Sequence, residues 1–134
     1  MAEVLIFSSS LERCLRKPQF THEFYVRFLF SSDDVRRKFD LTNFDEQEKR
    51  LARSLRTLGA AMEGDPTALR HLNARAESHD RNHANIEPHL YILWRESLMR
   101  TAAEFDEEWT EDVADAWGAV LDHAIHFMIK RYEV

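Results

Sequence analysis

Three glycines, three prolines and a single cysteine are all that the 134 residues hold of the types that bend or staple a chain. Tight turns consume glycine, proline and asparagine, so a sheet protein with its many turns is excluded and a few long helices are expected. Cys14 has no partner within the sequence, so there is no internal disulfide, a reducing compartment is permitted and nothing requires secretion. Long apolar runs are also missing. None approaches the roughly 20 residues that span a bilayer, and no membrane partner is expected. The opening MAEVLIFSSSLERC has neither the basic start nor the apolar core of an export signal. Basic excess is absent as well: the formal net charge is -6, which disfavours nucleic acid, because a nucleic-acid binder neutralises phosphates with Lys and Arg. The local VRRK stretch reads as a solvated helix face. The chain reads as cytoplasmic.

What is present suits one globular domain over residues 1–134, with 44% hydrophobic, 11% aromatic and 31% charged residues. Val4, Phe7, Leu11 and Leu15 recur at helical spacing and predict a first helix over 4–15. Pro18 suits the first turn of a second helix, striped by Phe20, Phe24 and Phe28. The SSDD stretch caps a short third helix through DVRRKF, and Thr42 or Asn43 caps a fourth carrying Leu51, Leu55, Leu58 and Met62 up to Gly64. Asp65-Pro66 restarts a weaker helix with Leu69, Leu72 and Ala76, and DRNHANIEP follows as a loop. Pro88 opens a long segment with Leu90, Leu93, Trp94, Leu98 and Met99 in register. Thr110 caps a last helix whose ends, Glu111 and Asp112 against Lys130 and Arg131, complement the helix dipole. The fold class is all-α, with about six or seven helices.

ESHDRNHANIEPHLY, residues 77–91, concentrates three histidines. His79 and His83 are four apart and would share a helix face, as zinc ligands often do. Asp80 stands where the zinc-protease pattern has glutamate, and no third ligand is signalled nearby. The plainer reading is a polar helix end rich in imidazole. A third reading places a haem iron on one of these imidazoles, which requires an apolar cavity, an aromatic wall and a polar group over the open coordination position.

The chain resembles bacterial globins, namely the haem domain of flavohaemoglobins, single-domain bacterial haemoglobins and the globin domains of globin-coupled sensors. FYVRFLFSSDDVRRKF is similar to the family's second and third helices, and the phenylalanine stands 14 positions after the tyrosine (39 − 25 = 14). The resemblance makes Tyr25 the distal tyrosine and Phe39 the phenylalanine packed on the haem face. QEKRLARSL is similar to the distal helix and puts Gln47 and Leu51 in the distal pocket. His79 follows Gln47 by 32 residues (79 − 47 = 32), where the iron-binding proximal histidine of those relatives falls. IEPHLY matches the segment that opens the family's next helix, with Tyr91 behind the proximal histidine and Trp94 lining haem. DAWGAVLDHAIHFM resembles the closing helix.

The sequence departs from flavohaemoglobins in three places. Phe39 to Gln47 is shorter. His79 to Ile86 is longer, which leaves His83 as an alternative ligand. DHAIHFM stands where a glutamate would face the proximal tyrosine, so the resemblance does not carry over a peroxidase-like proximal histidine. From the residues alone, Tyr25 also reads as core packing and Gln47 as helix surface.

What the resemblance implies is a globin that holds haem b (iron protoporphyrin IX) and reversibly binds dioxygen, NO or CO, for gas binding, sensing or NO detoxification. NO dioxygenation or peroxidase-like activity would need a separate reductase, because one globin domain fills the length. The aromatic residues of the last helices allow a homodimer as well as a core. The alternative from another class is a haem-free globin fold serving as a sensory or partner-binding module.

Overall fold

The computed structural model describes residues 2–133, and among these residues the secondary structure is helix joined by turns and short loops. Helix α1 spans Ala2–Leu15, α2 Phe20–Ser31, α3 Asp33–Lys38, α4 Phe44–Met62, α5 Pro66–His79, α6 Pro88–Phe105 and α7 Glu111–Glu133. Seven helices agree with the count read from the periodicity.

The boundaries have local causes. Ser32, Asn43 and Asp65 are extended residues whose side chains accept from the amides of Asp34, Glu46 and Thr67, starting α3, α4 and α5. Pro66 then occupies the first turn of α5, where its missing N–H costs nothing. Gly64 stops α4 at φ +85°, a left-handed conformation that side-chain-bearing residues avoid. The start of α2 differs from the expectation at Pro18. The chain turns once between α1 and α2, with the Phe20 amide on the Lys17 carbonyl, and the α-helical ladder begins with Glu23 N–H on Gln19.

The helices pack in pairs, α1 on α7, α2 on α6 and α4 on α5, with α7 also meeting α4, α5 and α6. Phe7 and Trp117, both fully buried, meet edge to face at 4.8 Å and join α1 to α7. Burying each contributes about 2 to 3 kcal/mol. Beside them lies a satisfied polar network. Asp106, just past α6, accepts from Ser10 Oγ at 2.5 Å and from Arg13 Nε at 2.6 Å, while Trp117 Nε1 donates to Ser10 Oγ at 2.8 Å. This ties α1, α6 and α7 together at one end and leaves the other end to frame a cavity. No described helix is long and apolar enough to cross a membrane. The basic VRRK stretch is neutralised within the fold: Arg36 pairs with Asp33, Arg37 with Asp34, and Lys38 with Glu87 at 3.0 Å.

Candidate functional site

A cavity of about 520 Å³ opens between α2, α3, α4, α5, α6 and α7. Its size lies within the roughly 300–1,000 Å³ of small-molecule and cofactor sites. Tyr25, Phe39, Gln47, Leu51, His79, Tyr91 and Trp94 all line it, although they come from five separate segments of the chain.

Helix α2 supplies Tyr25 because its stripe is doubled: Phe20, Phe24 and Phe28 bury one line, and Tyr25 sits beside them, only 4% exposed. The Tyr25 ring lies edge-on to Phe39 at 5.9 Å and to Phe44 at 5.6 Å, so aromatic rings fix its position. Gln47 Nε2 donates to its hydroxyl oxygen at 3.1 Å. Burial pushes the phenol up to about 12, opposed by the Gln47 hydrogen bond, so the group keeps its proton at neutral pH. With its oxygen accepting from Gln47, Tyr25 has its own O–H to donate. Leu51 stands one helical turn after Gln47 on α4, and both line the same wall.

His79 is the last residue of α5. Its Nδ1 lies 2.9 Å from the Arg75 carbonyl oxygen and 3.0 Å from Ser78 Oγ. A carbonyl can only accept, so Nδ1 carries the ring proton and Nε2 carries the lone pair. Burial lowers the pKa, the nearby Arg75 charge adds to the shift, and the ring is held neutral. These are the conditions an imidazole needs as a metal ligand. The loop after α5 closes back on the helix end, with Ile86 N–H on the His79 carbonyl at 3.0 Å and Asn85 at φ 52°.

His83 is absent from the cavity wall. Its Nδ1 meets Asp80 Oδ1 at 2.7 Å, and Arg131 approaches the other oxygen of that carboxylate at 3.6 Å. The hydrogen bond from Asp80 raises the His83 pKa, favouring the cation. Two histidines four apart in sequence are thus prepared oppositely, one neutral and one charged. Among the described residues no group of three or more His, Cys, Asp or Glu side chains is placed to hold a metal ion by itself. Tyr91 is buried in the cavity wall, its phenol pushed up by burial, and the Nδ1 of His79 is engaged by Arg75 and Ser78 rather than by Tyr91.

The sequence reading passed over the cationic part of the wall. Lys38, Arg50, Arg53, Arg56 and Arg75 line the cavity, as does His71, and no Asp or Glu does. The signal was present as spacing: Arg50, Arg53, Ser54 and Thr57 follow one face of α4, and His71, Arg75 and His79 follow one face of α5. It was hidden because arginines on amphipathic helices ordinarily read as solvated. The apolar floor formed by Ile86, Leu90, Ile125 and Met128 reads equally well as core.

Seven helices around a cofactor-sized cavity, with a neutral histidine on one wall and a tyrosine–glutamine pair on another, define a class that sequence comparison identifies. The globin family model matches residues 20–128, and the chain belongs to the globin family. Within it the chain is a globin of the bacterial kind. It is similar to the crystal structure of a Pseudomonas aeruginosa PAO1 protein described as structurally highly homologous to a human haemoglobin. The TM-score is 0.90 at 30% identity, over 97% of this chain and 98% of that one. No curated protein matches the chain.

Proposed function

We propose that the chain binds haem b on His79 and reversibly holds dioxygen, and also NO or CO, beside Tyr25 and Gln47. The observation that carries this reading is the hydrogen bond from His79 Nδ1 to the Arg75 carbonyl, which leaves a neutral Nε2 lone pair on the wall of a cofactor-sized cavity. The residues present fit the cofactor. The wall is aromatic and aliphatic where a porphyrin face would lie, the single nitrogen donor is oriented by the main chain, and the rim is cationic.

Haem supplies the iron that a diatomic gas binds reversibly. The chain's own groups do the rest. His79 is kept in one tautomer by Arg75 and Ser78, which fixes the ring and raises its basicity. The Tyr25 hydroxyl donates to the polar end of a gas held in the cavity, and Gln47 holds that hydroxyl in place. Such a donor favours dioxygen, whose outer atom gathers negative charge, over CO. Phe39, Leu51 and Trp94 exclude bulk water and keep the donor's field strong. The function that follows is gas binding, for storage or sensing; NO dioxygenation at the same site would require electrons from a separate reductase.

Absorption spectra of the purified chain, oxidised, reduced and with CO, test the reading. A Soret band that shifts on reduction and again with CO is expected. A colourless chain that gains no Soret band on addition of haem would replace it with a haem-free globin fold acting as a sensory or partner-binding module.

A further inference from the structure

The cavity has two chemically different ends. Around Tyr25 and His79 its wall is aromatic and aliphatic. Where α4 faces α5 it is formed by Arg50, Arg53 and Ser54 from one helix and by His71 and Arg75 from the other. In a chain with 24 acidic against 18 basic residues, a wall without a single carboxylate is a marked local reversal of charge. Two of the cavity's cations are already matched: Arg56 Nε meets Glu12 at 2.8 Å and Lys38 Nζ meets Glu87 at 3.0 Å. Arg50, Arg53 and Arg75 have no carboxylate within 4.0 Å among the described residues. Arg75 is central, since its charge is felt by both His79 and Tyr25 and it therefore stands between the two walls.

Like charges converge at a cavity rim at some cost in repulsion, which a bound anion relieves. Planar guanidinium groups are suited to oxyanions, which accept two parallel N–H bonds. We propose that the α4–α5 end of the cavity is an oxyanion site built by Arg50, Arg53 and Arg75. Two sources offer that chemistry: the carboxylate arms of a bound tetrapyrrole, or a free inorganic oxyanion seated beside it. The first source rests on the haem reading, and the second does not.

Titration of the haem-stripped chain with iron protoporphyrin IX and with its dimethyl ester, followed by Soret absorbance, addresses the first source. Titration of the chain with inorganic phosphate by calorimetry addresses the second. If the carboxylate arms fill the site, the free acid binds about three- to tenfold more tightly than the ester, as exposed ion pairs allow. The Arg53→Gln, Arg75→Gln double variant removes that difference, and Arg70→Gln, which lies off the cavity wall, preserves it. If a free oxyanion fills it, acid and ester bind alike, while phosphate binds one per chain and is lost in the double variant. Equal binding of acid and ester together with no phosphate heat overturns the proposal. Should neither porphyrin bind, the haem reading fails, and the phosphate titration alone decides the oxyanion site.

Discussion

Gln47 Nε2 donates to the Tyr25 hydroxyl oxygen across 3.1 Å, joining two residues 22 positions apart on different helices. The bond has a direction: the amide gives a proton and leaves the phenol free to give its own into the cavity. Tyr25→Phe should therefore remove a hydrogen bond of about 1.5 to 3 kcal/mol to a charge-bearing gas, a loss of about ten- to a hundredfold in oxygen affinity. Stopped-flow oxygen dissociation measures it, and CO dissociation should change far less. Gln47→Leu leaves the donor in place but unsupported, with a loss of about severalfold. Unchanged oxygen rates in Tyr25→Phe would remove the tyrosine from this role.

The same burial sets a pH dependence. The Tyr25 phenol is pushed up to about 12, above the ordinary tyrosine value of about 10. A raised phenol keeps its proton as pH rises through the ordinary value and loses it only at the shifted one. Oxygen dissociation should accordingly stay flat up to about pH 10.5 and accelerate only beyond it. An inflection near the ordinary value would mean that water reaches the hydroxyl and that Phe39 and Phe44 do not seal it.

At the opposite end of the molecule Asp106 is a stability determinant rather than a functional group. Burial would raise its pKa, but hydrogen bonds from Arg13, Ser10 and the Glu108 amide outweigh burial and hold it below 3.8. A carboxyl with a lowered folded pKa stabilises the fold above its unfolded value, and that contribution disappears as pH falls through the folded value. Asp106→Asn should cost about 2 to 4 kcal/mol at neutral pH, because it leaves Arg13 and Ser10 short of their partner. Its acid-unfolding curve should also flatten below about pH 4. Denaturant titrations at neutral and acid pH read both effects, and equal stability losses at the two pH values would contradict this account.

The fold was legible because helix periodicity and caps agree at each element. Ser32, Asn43, Asp65 and Thr110 each cap the helix that the pattern predicts. The boundary at Pro18 was misread because proline tolerates the first turn of a helix and a simple turn equally well, and only the Lys17–Phe20 bond distinguishes them. Of the candidate site, Tyr25, Phe39, Gln47 and His79 could be named through family spacing, since nothing local distinguishes Tyr25 from its phenylalanine neighbours. The sequence left His79 and His83 as alternatives because both belong to one polar stretch. Their difference lies in partners, Arg75 for one and Asp80 for the other, and in which side of the α5 end each faces. The cationic rim was illegible for a related reason. Arg50, Arg53 and Arg75 become a group only when α4 packs on α5.

Those two histidines support the most decisive substitution experiment. His79 presents a neutral ring to the cavity, so His79→Gly should abolish the Soret signature of a nitrogen-ligated haem while the helical circular dichroism persists. Imidazole added to that variant should enter the space vacated and restore the band, because the missing group is a nitrogen donor and not a packing element. His83 lies outside the cavity with its ring on Asp80, so His83→Ala should leave the spectrum unchanged. It should act on stability instead. A histidine whose folded pKa is raised stabilises the fold below its unfolded value near 6.5, and that contribution fades as pH rises through the folded value. The His83→Ala chain should therefore be weakened at about pH 5.5 and much less at about pH 8.5. Pigment that survives His79→Gly and disappears with His83→Ala would transfer the ligand role four residues along the chain and require the α5–α6 loop to refold around the cofactor.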